Sequence, residues 1–201
     1  MILVLDSATA ACSAALIGAD GGLLDERHEI VGRGHAERLL PMVADLLGGR
    51  VPDAILVDCG PGSFTGVRVG LAAAQGLALG WGVPVAGYSS MAAVAAARGA
   101  PAPMVVALEG GHGELFVQSY GGEPLAPLDA LRSLGPEQAA AALPEGPAVG
   151  SGAEALAEAR GGGDWHFALP RAADARLLPH ELRALPVRPI YGRPPDARPM
   201  P

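Results

Sequence analysis

The residues whose types and spacing best suit chemistry lie between Val57 and Ala78, in the segment VDCGPGSFTGVRVGLAAAQGLA. A strand pattern leads into a loop with glycines at positions 60, 62 and 66, and a helix of small residues follows. A strand, a glycine-rich turn and a helix N-terminus often bind phosphate together. A P-loop also needs a lysine at the helix start, where this chain has Thr65-Gly66-Val67-Arg68. The loop is therefore either a nucleotide site without lysine or the remnant of one.

Asp6 is the second feature, because it ends the opening apolar run ILVLD and begins Asp-Ser-Ala-Thr. In actin-like proteins the first strand ends in Asp-x-Gly-Thr, and that carboxylate organises a metal or a water. Here Ala8 replaces the glycine, and its Cβ hinders close backbone approach to a phosphate. We expect Asp6 to cap the strand end rather than bind metal. The candidates for nucleotide contact are Asp6, Gly62, Ser63 and Thr65.

Other catalytic chemistries lack the residues they need. The chain has no lysine, which excludes a Schiff base or a lysine nucleophile. No two of the five histidines stand four residues apart on a helix, and two cysteines cannot build a cysteine-rich zinc site. Ser63 has no recognisable His and Asp companions and lies outside a G-x-S-x-G turn. The sequence therefore assigns no catalytic residue and no metal-binding set.

Composition limits the partners of the chain. Its 201 residues carry a formal net charge of −7, and all 14 basic residues are arginines spread thinly along the sequence. A protein that binds nucleic acid unaided usually carries a basic face. If the protein acts on nucleic acid, we therefore expect a partner to do most of the holding. No apolar run approaches the roughly 18 residues of a membrane span, and the sequence favours a cytoplasmic protein with no membrane contact.

The elements that must position these residues follow the order βββαβαβα over residues 1–100. This order predicts an α/β, actin-like and Hsp70-like fold of two ribonuclease-H-like lobes, each a mixed sheet flanked by helices. The first lobe spans residues 1–100 and carries partner-binding helices. A smaller α/β lobe spans 101–201, opens with a hairpin over Met104–Tyr120, and ends in an extended proline-rich tail from Pro186.

Two helices of the first lobe form the predicted partner surface. Small residues recur on one face of the helix after the glycine-rich loop, so another helix can approach closely. Apolar residues of the helix from His35 to Leu47 offer larger partners. The alternative is that the small face packs against its own sheet. The predicted interface residues are His35, Leu39, Val43, Leu46, Gly66, Gly70, Ala73, Ala74 and Leu77. A bulky residue at Gly70 or Ala74 should then break partner binding while the fold survives.

The segment DCGPGSFTGVRVGLAAAQGLALGWGVPVAGYSSMAAVA resembles the TsaB family, also called YeaZ. The opening LVLDSATAACSAAL, the segment GHAERLLPMV and the later PIYGRPPDA resemble that family in the same order. The resemblance is dense in the first half of the chain and sparse in the second. One departure is Glu109-Gly110-Gly111, where the family often has Asp-Ala-Arg, and we assign that segment no binding role.

The resemblance implies the dimerisation subunit of the bacterial tRNA threonylcarbamoyladenosine machinery. Such a subunit has an actin-like fold without catalysis, binds the catalytic subunit TsaD, and joins the ATPase TsaE. Alone it forms homodimers through the same helical surface. It implies tRNA contact only through the complex, and no cofactor in this chain alone. ATP and metal would belong to partner subunits, and a nucleotide could bind at a shared interface.

Two other functions compete with this scaffold. One is an autonomous enzyme, either an actin-like ATPase or a glycoprotease-like peptidase. The missing metal pair and triad count against the peptidase, and Ala8 counts against the ATPase. The other is a homodimeric structural protein with no connection to tRNA. Only the family resemblance disfavours it.

Overall fold

The computed structural model describes residues 1–99 and 102–192. These residues form two sheets, one before and one after the gap at 100–101. The predicted lobe boundary at 100/101 falls on that gap, and the division into two lobes stays a prediction. Residues 193–201, the last part of the predicted tail, lie outside the described residues.

The first sheet carries the residues of the glycine-rich region. Its strand order is β3-β2-β1-β4-β5, where β1, β2 and β3 form an antiparallel meander and β4 and β5 add parallel to β1. The strands are β1 (Ile2–Asp6), β2 (Ala11–Ile17), β3 (Leu23–Ile30), β4 (Ala54–Asp58) and β5 (Val85–Tyr88). The meander follows from short turns, and the parallel strands follow from the helical crossovers between them.

Three helices belong to this first sheet: α1 (His35–Leu47), α2 (Phe64–Trp81) and α3 (Ser90–Arg98). Ser63 caps α2 by accepting the backbone N–H of Gly66 at 3.2 Å. α1 and α2 pack on one face of the sheet, where their apolar side chains share one core with β1, β2 and β4. The predicted order βββαβαβα is confirmed element by element.

The second sheet is built mostly from short strands around a central hairpin. Its order is β11-β10-β6-β7-β8, with β9 also paired to β7. Its strands are β6 (Met104–Glu109), β7 (Leu115–Gly121), β8 (Ala126–Pro127), β9 (Arg132–Leu134), β10 (Ala148–Val149) and β11 (Trp165–His166). Helices α4 (Pro136–Ala142) and α5 (Ala153–Ala159) share a core with β6 and β7. The predicted hairpin over Met104–Tyr120 is confirmed.

α3 joins the two sheets into one body. Its buried residues share a core with β1 and β5 of the first sheet and with β6 and β7 of the second. Each sheet therefore buries both faces, as expected of a layered α/β protein. Among the described residues, none of the helices combines the length and the apolar character needed to span a bilayer.

The chain returns to the first sheet after β11. The backbone N–H of Ala172 donates to the hydroxyl of Ser13 at 2.9 Å, and Leu185 pairs with Gly87 on the edge of β5. The sequence places all residues after 100 in the second lobe. The short 3₁₀ turns at 172–177 and 180–183 carry no periodic pattern that would have indicated this return.

Candidate functional site

Asp6 and Asp58 end the neighbouring parallel strands β1 and β4, and both side chains are buried. Asp6 accepts the backbone N–H of Ala8 at 2.9 Å, as the strand-end cap that the sequence predicts. Asp58 accepts the N–H of Gly60 at 2.7 Å and the hydroxyl of Ser90, which lies 2.7 and 2.8 Å from its two oxygens. The two carboxyl groups also contact each other.

The surroundings of the pair favour one bound proton, because they raise the pKa of both carboxyl groups. Burial, and then the charge of Asp58, raise the pKa of Asp6 well above its ordinary value. Burial also raises the pKa of Asp58, to about 6, while donors from Gly60 and Ser90 limit that rise. No group of the described residues donates to Oδ2 of Asp6, which fits an oxygen that carries the proton itself. The raised pKa of Asp6 favours its neutral acid form, and a protonated carboxyl group is a poor metal ligand.

The glycine-rich loop lies directly on the turn that follows Asp6. A Cβ at Gly62 would lie 2.0 Å from the carbonyl oxygen of Ala8, and one at Gly66 would lie 2.1 Å from that of Ser7. The N–H of Ser63 donates to Ala8 at 2.6 Å, and the hydroxyl of Ser7 donates to the carbonyl of Gly66 at 2.8 Å. The glycines therefore allow the two backbone segments to touch.

A cleft of about 900 Å³ opens beside this contact, between the two sheets. Of the four candidates for nucleotide contact, Gly62 and Ser63 line the cleft, whereas buried Asp6 and exposed Thr65 do not. Glu109, at the end of β6, lies on the opposite wall with the glycines that follow it. The sequence assigned that segment no role. Nucleotide binding by Asp6, Gly62, Ser63 and Thr65 stays a prediction.

Aromatic rings dominate the mouth of the cleft. The guanidinium of Arg68 lies 3.3 Å from the ring centroid of Phe64 and 5.4 Å from that of Tyr191. The same group donates to the Tyr191 hydroxyl at 2.6 Å and to the Phe64 carbonyl at 2.9 Å. Arg68 is therefore engaged within the chain. Arg33 also lines the cleft and adds positive charge.

Among the described residues, no three His, Cys, Asp or Glu side chains come together in a group that could hold a metal ion. Two buried carboxylates that share a proton cannot replace such a group without losing that proton and rearranging. The arrangement suits a rigid junction between β1, β4 and α3 better than acid–base chemistry in the cleft.

Most residues of the predicted partner surface lie in the core of this chain, so their side chains are not available to a partner, and the interface itself stays a prediction. The buried members are His35, Leu39, Val43, Leu46, Gly66, Gly70 and Ala74, while Ala73 and Leu77 are half-buried. A Cβ at Gly70 would lie 2.7 Å from the hydroxyl oxygen of Ser7. The small face of α2 thus approaches its own sheet, which was the alternative. A bulky residue there would disrupt the fold itself.

The sequence missed a second small-residue face on α2 that points outward. Its exposed members are Ala72, Gly76, Leu79 and Gly80, and Leu79 is 87% exposed. Gly76 and Gly80 have open space where a Cβ would stand. Leu40, Pro41 and Ala44 are exposed small or apolar residues of α1. We call these seven residues the α1–α2 outer face. The sequence does carry a signal for this face, because small residues recur every four positions of α2, at 72, 76 and 80.

The sheet order and the cleft indicate the class to which this protein belongs. The sheet order and the cleft between two sheets are those of an actin-like, ribonuclease-H-like α/β protein, so the predicted fold class is confirmed. The model of the family described as TsaD, tRNA N6-adenosine threonylcarbamoyltransferase, matches residues 21–171.

Individual relatives narrow the class. TsaB of Escherichia coli K12 is 39% identical over 127 residues, which cover 59% of this chain and 54% of that protein. An uncharacterised protein of Mycobacterium tuberculosis H37Rv is 33% identical over 99% of this chain and 94% of its own length. A solved Pseudomonas aeruginosa structure, described as similar to the peptidase YeaZ, has a TM-score of 0.80 at 30% identity, covering 96% of this chain and 99% of that one.

The chain belongs to the TsaB/YeaZ family, and the predicted resemblance is confirmed. The match spans only about half the length of E. coli TsaB.

Proposed function

We propose that this chain is a non-catalytic subunit of the machinery that makes N6-threonylcarbamoyladenosine in tRNA. E. coli TsaB is named for the biosynthesis of that nucleoside, which supports the pathway. The observation that carries the non-catalytic role is the direct contact between the glycine-rich loop and the 7–9 turn. Asp6 is buried beside it, and burial raises its pKa, which favours the neutral acid.

The proposed partner is a TsaD-like catalytic subunit, bound through the α1–α2 outer face. This face combines the exposed Leu40 and Leu79 with small residues that permit close helix approach. A TsaE-like ATPase joins the same complex, and the chain alone pairs with a second copy through the same face. ATP and metal are bound by the partner subunits, and this chain meets a nucleotide only at a shared interface.

The net charge of −7 supports tRNA contact through the complex, because an acidic chain repels a phosphate backbone. We place this activity in the cytoplasm, with the tRNA that it modifies. An autonomous ATPase or peptidase is the weaker candidate. It would need Asp6 to ionise and to leave its buried position against Ala8.

Reconstitution tests the proposal. Threonylcarbamoyl transfer to tRNA is measured with the TsaD-like and TsaE-like proteins of the same organism, with and without this chain, while light scattering follows assembly. We expect both transfer and the heteromeric complex to require the chain. If it neither assembles nor changes the rate, the scaffold proposal fails.

A matched pair of variants locates the surface. Leu79→Arg places a charge on the outer face, whereas Leu128→Arg places one on another exposed leucine, after β8. Only the first should weaken the complex, while both keep the unfolding midpoint of the unaltered chain. Equal weakening by both variants would disprove this choice of surface. Separately, ATP turnover by the pure chain that Asp6→Asn abolishes would restore the enzyme proposal.

A further inference from the structure

The cleft between the two sheets gathers exposed aromatic rings around one concave surface. Phe64, Phe167 and Tyr191 line it with exposed fractions of 69%, 59% and 59%. Buried Phe116 of β7 forms part of its wall. Rings gathered in this way indicate a ligand site more often than scattered exposure does, and a volume of about 900 Å³ suits a small organic molecule. The scaffold role described above uses the α1–α2 outer face and assigns this cleft no ligand.

Two opposite charges lie on opposite walls of the same cleft. Arg33 stands in the loop between β3 and α1 of the first sheet, and Glu109 ends β6 of the second sheet. Both residues are exposed, and neither side chain forms an ion pair or a hydrogen bond with another residue that the structure describes. Arg68, the other arginine of the lining, already donates to Phe64 and Tyr191. Within residues 1–99 and 102–192, the cleft therefore offers one unpaired cation and one unpaired anion to a ligand.

These two charges decide which class of ligand fits the cleft. A nucleotide carries several negative charges, which Glu109 repels and which one guanidinium does not balance. A simple cation meets Arg33, and a neutral aromatic molecule makes use of neither charge. A zwitterion with an aromatic side chain uses every feature of the cleft. Its carboxylate pairs with the guanidinium, its ammonium group pairs with the carboxylate of Glu109, and its ring packs among the aromatic side chains.

We propose that the cleft binds an aromatic α-amino acid, free or as the first residue of a dipeptide, in its zwitterionic form. Arg33 holds the carboxylate of the ligand and Glu109 holds its ammonium group. The hydroxyl of Ser151 accepts the backbone N–H of Glu109 at 3.0 Å and keeps its own proton as a donor at the cleft wall. Because the two charged residues belong to different sheets, the bound zwitterion bridges the sheets.

Isothermal titration calorimetry of the full chain tests the proposal with four probes. L-phenylalanine and L-phenylalanylglycine carry both charges at different separations, whereas 3-phenylpropionate lacks the ammonium group and phenethylamine lacks the carboxylate. We expect one of the two zwitterions to bind at least about tenfold more tightly than either analogue with a single charge. The tighter zwitterion shows whether the cleft takes the amino acid or the dipeptide.

Variants of the chain assign the two charges. Arg33→Met should bind the tighter zwitterion no better than phenethylamine, and Glu109→Gln should bind it no better than 3-phenylpropionate, because each variant has lost the partner of one ligand charge. Phe167→Ser should weaken the binding of every probe. Leu128→Ser, at an exposed leucine outside the cleft, should weaken none. The unfolding midpoint of each variant confirms that the fold is retained.

Three results would overturn the proposal. The first is that neither zwitterion binds. The second is that the zwitterions bind no better than the analogues with a single charge, or bind Arg33→Met and Glu109→Gln as tightly as the unaltered chain. The third is that adenosine binds more tightly than both zwitterions and displaces them, which would identify a nucleobase site. These titrations involve neither a partner subunit nor tRNA, so this proposal and the proposed function can fail separately.

Discussion

The buried acid pair predicts how the stability of this chain depends on pH. The pKa of Asp58 is raised to about 6 from an ordinary 3.8, and burial and the charge of Asp58 raise the pKa of Asp6 well above its ordinary value. An acid with a raised pKa in the folded state stabilises the fold fully below its unfolded pKa. That stability is lost as pH rises through the folded pKa. We therefore expect stability to fall between about pH 4 and pH 6, and to keep falling above pH 6.

The magnitude follows from the shift at Asp58. A rise of about two units, at 1.36 kcal/mol for each unit, corresponds to about 3 kcal/mol of unfolding free energy from Asp58 alone between pH 4 and pH 7, and Asp6 adds to this loss. Asp6→Asn keeps a neutral side chain that accepts from Ala8 and can donate to Asp58, but it cannot ionise. This variant should be more stable than the unaltered chain at pH 8, by about 1–3 kcal/mol. At pH 4.5 the unfolding free energies of the Asp6→Asn chain and the unaltered chain should be nearly equal.

Urea unfolding, followed by circular dichroism from pH 4.5 to 8, measures both effects. Asp174 is also raised in pKa by burial, but it is common to both chains and cancels in their difference. The exposed carboxyls Asp25, Glu29 and Asp53 have lowered pKa values and titrate below this window. Equal pH dependence in the two chains, or an Asp6→Asn chain less stable at pH 8, would refute the shared proton.

Three further predictions concern packing and assembly. Gly70→Ala should lower the free energy of unfolding by about 1–3 kcal/mol, because its Cβ would meet the hydroxyl of Ser7. Gly76→Ala places its Cβ in open space and should raise the free energy of unfolding by up to about 1 kcal/mol. Thermal unfolding compares the two variants. Ser90→Ala removes a donor from buried Asp58 and should cost about 1–3 kcal/mol in urea unfolding at pH 7.5, with a smaller cost at pH 4.5. Leu79→Arg should abolish co-elution with the TsaD-like subunit on size-exclusion chromatography; unchanged co-elution would place the interface elsewhere.

The first sheet could be predicted from the sequence because its strands and helices are long and end at clear signals. The alternation of strands with helices predicted the correct order of elements. Asp6 was recognisable as a strand-end cap from the departure at Ala8. Its pairing with Asp58 was not, because no local pattern relates two residues 52 positions apart.

The helix faces could not be chosen from sequence. α2 carries small residues on two faces, at 66, 70 and 74 and at 72, 76 and 80, and both permit close approach. Contact between Gly70 and Ser7 decides which face meets the sheet, and that contact exists only after the 7–9 turn has folded. The sequence also did not predict that residues 172–192 return to the first sheet, because their two 3₁₀ turns carry no periodic pattern.

The central claim is that this chain supports tRNA modification through its surface and not through chemistry at Asp6. The most direct test is threonylcarbamoyl transfer in the reconstituted system with the Asp6→Asn chain and, separately, the Leu79→Arg chain. We expect the Asp6→Asn chain to support the full rate and the Leu79→Arg chain to support none. Loss of transfer with a folded, assembled Asp6→Asn chain, and normal transfer with the Leu79→Arg chain, would contradict the account.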